Sequence, residues 1–185
     1  MKKIWVLATI ALFAACNSGN EPAKVDSMST GKDSTTPMRD INSPYAINYS
    51  SKFVMDDPKN AETVLSLWKA WDNGDLSASK GMFADSVQMY LGDGSMMSGP
   101  RDSVMAGAQT FRNTIASSVS SVDAVMAVKS TDKNDHFALI WGKEIDTDKK
   151  GKVDSFYLQE TWGFNKDGKA NLLYQYRKSA TPLKK

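Results

Sequence analysis

The chain is poor in the residues that form disulfides and zinc sites. Its 185 residues include one cysteine and one histidine. A lone thiol forms no disulfide within the chain, and the usual zinc ligand sets are excluded as well. Asp146 to Gly151 has part of the spacing of a calcium loop, but Lys150 takes a ligand position and Tyr157 replaces the bidentate glutamate. We predict no metal site and no cofactor.

The chain also lacks an excess of charge of one sign. It has 23 basic and 21 acidic side chains. Two of the basic ones, Lys2 and Lys3, belong to the N-terminal segment, and without them 21 basic side chains stand against 21 acidic ones. Binding to nucleic acid depends on a strong positive field, which this balance excludes. We predict no nucleic-acid partner.

The N-terminal apolar run is too short for a permanent membrane span. Ile4 to Ala15 is twelve residues long, whereas a spanning helix needs roughly 20. Behind Met1-Lys2-Lys3 it has the pattern of a secretory signal peptide. Cys16 directly follows Phe13-Ala14-Ala15, which resembles the bacterial lipoprotein signal, although that signal usually has Leu where Phe13 stands. We expect a lipidated (palmitate-type) Cys16 that anchors the protein in the cell envelope, at the outer membrane of a Gram-negative cell.

Composition divides the rest of the chain. Residues 1–15 are the expected signal peptide, and 16–43 form a polar tether with too few apolar side chains to offset the entropy of ordering. Residues 44–56 alternate Tyr45, Ile47, Tyr49 and Phe53 on one face, which predicts an ordered arm against the domain. The domain spans 57–178, and 179–185 is a basic tail.

Within the domain, helical spacing precedes strand spacing. Helices are predicted at residues 57–73, 76–83 and 103–118, and strands at 86–91, 95–98, 122–130, 137–147, 153–164 and 170–177. The last four strands are joined by short turns, so they predict an antiparallel meander. His136 is expected in solvent at the turn before one of them. Three helices ahead of a meander give an α+β fold with the helices on one sheet face.

The strand from Val153 to Phe164 carries the sharpest functional signal. Its even positions include Phe156, Leu158, Trp162 and Phe164, so they form the apolar face. Glu160 is the acid between Leu158 and Trp162 on that face. A carboxylate there is paired with a cation, kept neutral, or exposed to a ligand.

Two short motifs carry a resemblance to a known family. Phe83-Ala84-Asp85-Ser86-Val87 follows the second helix, and Phe164-Asn165-Lys166-Asp167-Gly168-Lys169 forms the last hairpin. In this order, over residues 57–178, they resemble the nuclear transport factor 2-like superfamily in its SnoaL-like branch. The resemblance implies a strongly bent antiparallel sheet that forms a cone around an apolar pocket. Its relatives include isomerases, cyclases and dehydratases, and members without known catalysis, so the fold alone does not give the function.

Three functions remain open from the sequence. The first is a pocket that binds a small apolar or aromatic molecule, for which we predict the lining Trp68, Trp71, Tyr90, Trp141, Trp162 and Tyr176. The second is an isomerase, cyclase or dehydratase in which Glu160 acts as the catalytic acid or base with Tyr174 as donor. The third is a non-catalytic interaction module that forms a homodimer through its sheet. If Glu160 is instead structural, we expect it to pair with Arg112, Lys143 or Arg177, or to be solvated.

Overall fold

The computed structural model describes residues 41–180. The predictions for residues 1–40, including lipidation at Cys16, lie outside the described residues. The helices are α1 (Lys59–Asn73), a short 3-10 helix (Ser77–Met82) and α2 (Arg101–Arg112). The strands are β1 (Phe53–Met55), β2 (Phe83–Tyr90), β3 (Met96–Pro100), β4 (Ile115–Ser130), β5 (His136–Asp148), β6 (Val153–Phe164) and β7 (Ala170–Ser179).

All seven described strands form one curved, open sheet in the order β1-β4-β5-β6-β7-β2-β3. Consecutive strands from β4 to β7 are antiparallel neighbours, as their short turns predicted. β6 is the central strand, and its observed bounds are the predicted ones. α1 packs on β4 and β5, and α2 on β2 and β3. The face that these helices cover is called the inner face below, and the α+β class is confirmed.

The sheet is mixed, whereas the prediction was a purely antiparallel one. β2 runs parallel to β7, with Tyr90 level with Tyr174. The β2–β3 hairpin therefore docks on the far edge of the meander, away from β4. Local sequence patterns specify that a segment is a strand, but they do not specify which edge a separate hairpin joins. The pairing of β2 with β7 could therefore not be predicted from the sequence pattern.

The third helix is shorter than predicted. It ends at Arg112 rather than near Ser118, and β4 begins at Ile115. The segment from Thr114 to Ser121 contains four serines and three β-branched residues. Serine side chains compete for backbone hydrogen bonds and β-branched side chains lose rotamer freedom in a helix, so this composition favours the strand.

The arm is ordered where it meets the sheet. β1 pairs with the end of β4, with Phe53 opposite Ser130. Tyr49 donates a hydrogen bond to Asp135, and its ring meets Phe137 edge-on at a centroid distance of 6.1 Å. Tyr45 and Ile47, expected on the same face, are exposed.

His136 is half-buried rather than solvated, and its Nδ1 lies 2.6 Å from Oδ2 of Asp56. It therefore fastens β5 to the segment that leads into α1. No helix within residues 41–180 has the length and apolar character that crossing a membrane requires.

Candidate functional site

A cavity of about 350 Å³ lies between the inner face of the sheet and the helices. Ligand pockets are typically about 300–1,000 Å³, so this is a small one. One side, the apolar wall, is formed by α2 and the β2–β3 hairpin through Met105, Ala108, Phe111, Met89, Leu91 and Met97. The sheet side contains three carboxyl side chains, Glu144, Asp146 and Glu160, which we call the acidic wall.

Glu160 is the most deeply buried member of the acidic wall, with 4% of its surface exposed. Oε2 accepts hydrogen bonds from the indole N–H groups of Trp68 on α1, at 2.7 Å, and Trp162 on β6, at 2.8 Å. Oε1 accepts a third hydrogen bond from the side-chain amide of Gln175 on β7, at 2.8 Å. The carboxyl group thus ties α1 to two strands at the closed end of the cavity.

The surroundings of Glu160 act on its pKa in opposite directions. Desolvation raises the pKa because burial disfavours the charged form, while the hydrogen bonds from Gln175, Trp68 and Trp162 lower it. Desolvation is the larger effect, so the pKa lies above its usual range. All three partners are donors, which suits a carboxylate oxygen and leaves a carboxylic O–H without an acceptor among them.

None of the predicted cations pairs with Glu160. The guanidinium of Arg112 is buried and donates to the carbonyl oxygens of Trp71, Asp72 and Ile115, at 2.6–3.1 Å. It thereby satisfies carbonyl groups at the end of α1. Lys143 lies opposite Tyr157 on the outer face.

Arg177 is exposed, and its guanidinium carbon lies 3.3 Å from the centre of the Phe156 ring. No ion pair within residues 41–180 includes Glu160. The expected pairing of Glu160 with a cation is therefore wrong.

Sequence reasoning missed the other two acids. Glu144 and Asp146 lie on β5, two residues apart, on the same face as the buried residues Ala138 and Ile140. The sequence pattern marked Asp146 only as part of an incomplete calcium loop, and it did not mark Glu144. The signal was nevertheless present, since Ala138, Ile140, Glu144 and Asp146 share one phase of the two-residue period.

Glu144 has a strongly perturbed acidity. Burial raises its pKa most, the neighbouring carboxyl groups of Asp146 and Glu160 add to this, and Arg177 opposes it, which brings the pKa to about 8. Oδ1 of Asp146 is buried without a hydrogen-bond partner among the described residues. This end of the acidic wall thus holds a proton near neutral pH.

Three of the four tryptophans predicted to line the pocket, Trp68, Trp71 and Trp162, do so. Trp68 and Trp162 hold Glu160, and Trp71 stacks with Phe111 at a centroid distance of 6.1 Å. Trp71 is also half-buried beneath the guanidinium of Arg112, at 5.9 Å. They form the aromatic part of the cavity.

The other predicted aromatic residues lie on the opposite, outer face of the sheet, which corrects their assignment to the pocket. They are Tyr90, Trp141, Tyr174 and Tyr176. Tyr90 and Tyr174 stack on each other there with centroids 4.9 Å apart. Tyr174 therefore cannot donate to a ligand held by Glu160. Both Leu172-Leu173 and Ile140-Trp141 place two apolar residues in succession, so the sequence did not fix which phase faces inward.

The described part of the chain has no group of three or more His, Cys, Asp or Glu side chains placed to hold a metal ion. The acids of the acidic wall are thus spread along the sheet rather than converging on one point. The wall is suited to hydrogen bonds and charge interactions with a molecule that extends along it.

The sequence matches no protein-family model, and it matches no curated protein significantly. Solved structures resemble the fold. A nuclear transport factor 2-like protein of unknown function from Burkholderia pseudomallei is 19% identical, with a TM-score of 0.52 over 65% of this chain and 91% of its own. An LEH-like epoxide hydrolase from M. tuberculosis is 12% identical, with a TM-score of 0.53 over 65% of this chain and 83% of its own.

The epoxide hydrolase/cyclase-like enzyme SalBIII, of polyether salinomycin formation, is 12% identical, with a TM-score of 0.55 over 68% of this chain and 95% of its own. At these identities the likeness concerns the fold alone. The curved sheet and the two covering helices agree with it. The domain therefore has the nuclear transport factor 2-like fold.

Proposed function

We propose that this domain binds a small, mostly apolar molecule in the cavity between the helices and the sheet. The observation that supports this most strongly is the cavity itself, about 350 Å³ bounded by the apolar wall and by three tryptophans. A protein interior is normally packed with few voids larger than a water molecule. A cavity of this size with a few polar groups at one side is the usual form of a small-molecule site.

Calorimetric titration of the full chain with tryptophol, a neutral aromatic alcohol, tests this proposal. Ala108 lies in the apolar wall, so Ala108→Trp is expected to fill the cavity and abolish binding. Ala106→Trp on the exposed side of the same helix is the matched control and should bind normally. Binding that survives Ala108→Trp unchanged would move the ligand to another surface and contradict the proposal.

We propose further that the domain is tethered to the cell envelope through a lipid on Cys16. The support is the sequence alone: a positive start, an apolar run of twelve residues, and small side chains directly before the cysteine. Replacement Cys16→Ser should release the protein from the membrane fraction. Unchanged fractionation of that variant would rule the anchor out.

Acid–base catalysis is a second candidate function, favoured by Glu144. A group with a pKa of about 8 can carry and release a proton near neutral pH. Two of the structures with this fold are described as an epoxide hydrolase and an epoxide hydrolase/cyclase-like enzyme. Incubation with a panel of epoxides, followed by mass spectrometry for diols, tests this. Diol formation by the wild-type protein that is lost in Glu144→Gln supports catalysis. If the wild-type protein forms no more diol than Glu144→Gln, catalysis by Glu144 is contradicted.

Self-association is a third candidate, favoured by the outer face of the sheet. Tyr157, Tyr174 and Tyr176 are exposed there together with Tyr90. Exposed aromatic residues on a sheet face are typical of protein interfaces. Light scattering of the full chain in detergent tests this: a dimer that Tyr176→Lys dissociates supports it, and a monomer at high concentration contradicts it.

A further inference from the structure

The charges around the cavity are distributed unevenly. All side chains of the apolar wall are uncharged. The acidic wall, on the other side, brings Glu144 and Asp146 from β5 and Glu160 from β6 to the same inner face. A fourth carboxyl group, that of Asp93, lines the exposed rim at the β2–β3 turn. A molecule in the cavity therefore meets hydrocarbon on one side and carboxyl groups on the other.

Cationic side chains do not balance this wall. Among the described residues that line the cavity, the cation is Arg177. It is exposed and lies on the Phe156 ring at 3.3 Å, so it belongs to the rim. Arg112, the buried cation nearby, is occupied by three carbonyl oxygens. Arg177 therefore acts on Glu144 from the rim, and no ion pair within residues 41–180 joins a cation to Glu144, Asp146 or Glu160.

Glu160 gives an independent observation of the same kind. It is 4% exposed, lines the cavity, and has neutral donors rather than a cation as its partners. Taking a carboxylate out of water without a cation costs several kcal/mol in a protein interior. Hydrogen bonds from neutral groups offset part of that cost, and a cation in the cavity would offset more.

We propose that the natural ligand of this cavity is an organic cation, with an ammonium group at the acidic wall and an apolar body against the apolar wall. This inference rests on the proposed binding function and specifies its ligand class. The body packs on Met97 and Phe111, which belong to the apolar wall. The head group lies near Glu144 and Asp146, where an ammonium group supplies donors to carboxyl oxygens that form no ion pair within residues 41–180. Trp71 adds an aromatic surface, which also attracts cations.

An organic cation fits these residues better than a metal ion or an anion. The acids do not converge on a metal-binding geometry in the described part of the chain. An anion held inside the cavity would lie beside three carboxyl groups, with Arg177 placed only at the rim. An amine that extends along the sheet has the apolar surface that the opposite wall requires and the charge that the acidic wall requires.

Three compounds with the same indole skeleton separate the outcomes. Tryptamine is a cation, tryptophol is neutral, and indoleacetate is an anion. Calorimetric titration of the full chain with each compound therefore compares the affinities of ligands that differ in charge but have nearly the same shape. We expect tryptamine to bind about tenfold tighter than tryptophol, and indoleacetate to bind most weakly. Equal affinities, or tighter binding of indoleacetate, would overturn the ligand class while leaving the binding function in place. If none of the three binds, both proposals fail.

Substitutions then locate the charge effect. In the double variant Glu144→Gln with Asp146→Asn, the preference for tryptamine over tryptophol, with both affinities measured in that variant, should fall to about threefold or less. Glu62 is an exposed acid on α1 outside the cavity, and Glu62→Gln should leave the preference unchanged. A preference that persists in the double variant, or that Glu62→Gln abolishes equally, would contradict the head-group position.

Discussion

The two ends of the acidic wall use the same functional group in different ways. At the closed end, the Glu160 carboxyl group is held by three donors from α1, β6 and β7. At the other end, Glu144 faces Asp146, and burial and like charge raise its pKa to about 8. The closed end is a connection between helix and sheet, whereas the open end is a place where charge is poorly satisfied. Hydrogen-bond partners, rather than burial alone, separate a structural acid from a chemically available one.

The largest effect should come from removing the closed end. Glu160→Ala leaves two buried indole N–H groups and an amide without their acceptor, and each orphaned donor is costly. We expect the free energy of unfolding to fall by about 3 kcal/mol in urea denaturation. Glu160→Gln, which keeps one acceptor oxygen, should cost about 1 kcal/mol. If Glu160→Ala lowers the free energy of unfolding by less than half of the expected value, the connection between α1 and the sheet contributes little to stability.

The open end should make stability depend on pH. Because the pKa of Glu144 is raised from 4.5 in the unfolded chain to about 8, folding binds a proton between these values. Its contribution to stability is therefore complete below pH 4.5 and is lost as the pH rises to 8. We expect the free energy of unfolding to fall on the order of 2 kcal/mol across this window.

Several charged groups act on Glu144 from the surrounding elements. Asp146 lies on the same strand, Glu160 on β6 and Arg177 on β7. On the neighbouring strand β4, Ser120 lies opposite Glu144 and donates two hydrogen bonds to the Asp72 carboxylate of α1. Asp93 lies at the rim of the cavity.

Glu144→Gln removes the titrating group and leaves these neighbours in place. It should flatten most of the pH dependence in denaturation curves and stabilise the protein at high pH. If the free energy of unfolding of this variant depends on pH as strongly as that of the wild type, a group other than Glu144 causes the dependence.

Close packing at the closed end can be tested from the backbone side. A Cβ atom on Gly142 would overlap the carbonyl oxygen of Ser121 and lie 2.9 Å from the Trp68 ring. Gly142→Ala should therefore cost about 1–3 kcal/mol of unfolding free energy and shift Trp68 relative to Glu160. Gly151→Ala is unsuitable as a control because its φ is +83°; Gly81→Ala, where the added methyl group meets nothing within 4 Å, is suitable. Equal costs at both glycines would contradict the packing account.

The smallest effect belongs to the outer face. Tyr174 stacks on Tyr90 away from the cavity, so Tyr174→Ala removes one aromatic contact worth about 0.5–1.5 kcal/mol. Ligand affinity should not change, because no atom of Tyr174 lines the cavity. Calorimetric titration of this variant with tryptamine checks this. A large loss of affinity would return Tyr174 to the site and contradict the register of β7.

The fold was largely accessible from the sequence. Helix α1 ends at Asn73, where Gly74 adopts the left-handed conformation that favours glycine. β6 has the predicted bounds, and its even positions face inward, because one buried and one exposed face enforce the alternation. The family resemblance carried by the two short motifs also implied the curvature of the sheet. The parallel pairing of β2 with β7 was not accessible, since it depends on contacts far apart in the chain.

The site was accessible only in part. Glu160 stood out because it interrupts an apolar face, and the three inward tryptophans follow helical or strand phase. Trp141 and Tyr174 each have an apolar neighbour in the chain, which left their phase ambiguous. Glu144 did not stand out because its pKa is raised by burial and then by the charge of Asp146, and both effects require the folded sheet.

The carboxyl titration of Glu144 tests the central claim most directly. Carbon-detected NMR on protein labelled at glutamate side chains follows this group, with Glu144→Gln to assign its signal. The account predicts a midpoint near pH 8. A midpoint for Glu144 near the ordinary glutamate value of about 4.3 would contradict it.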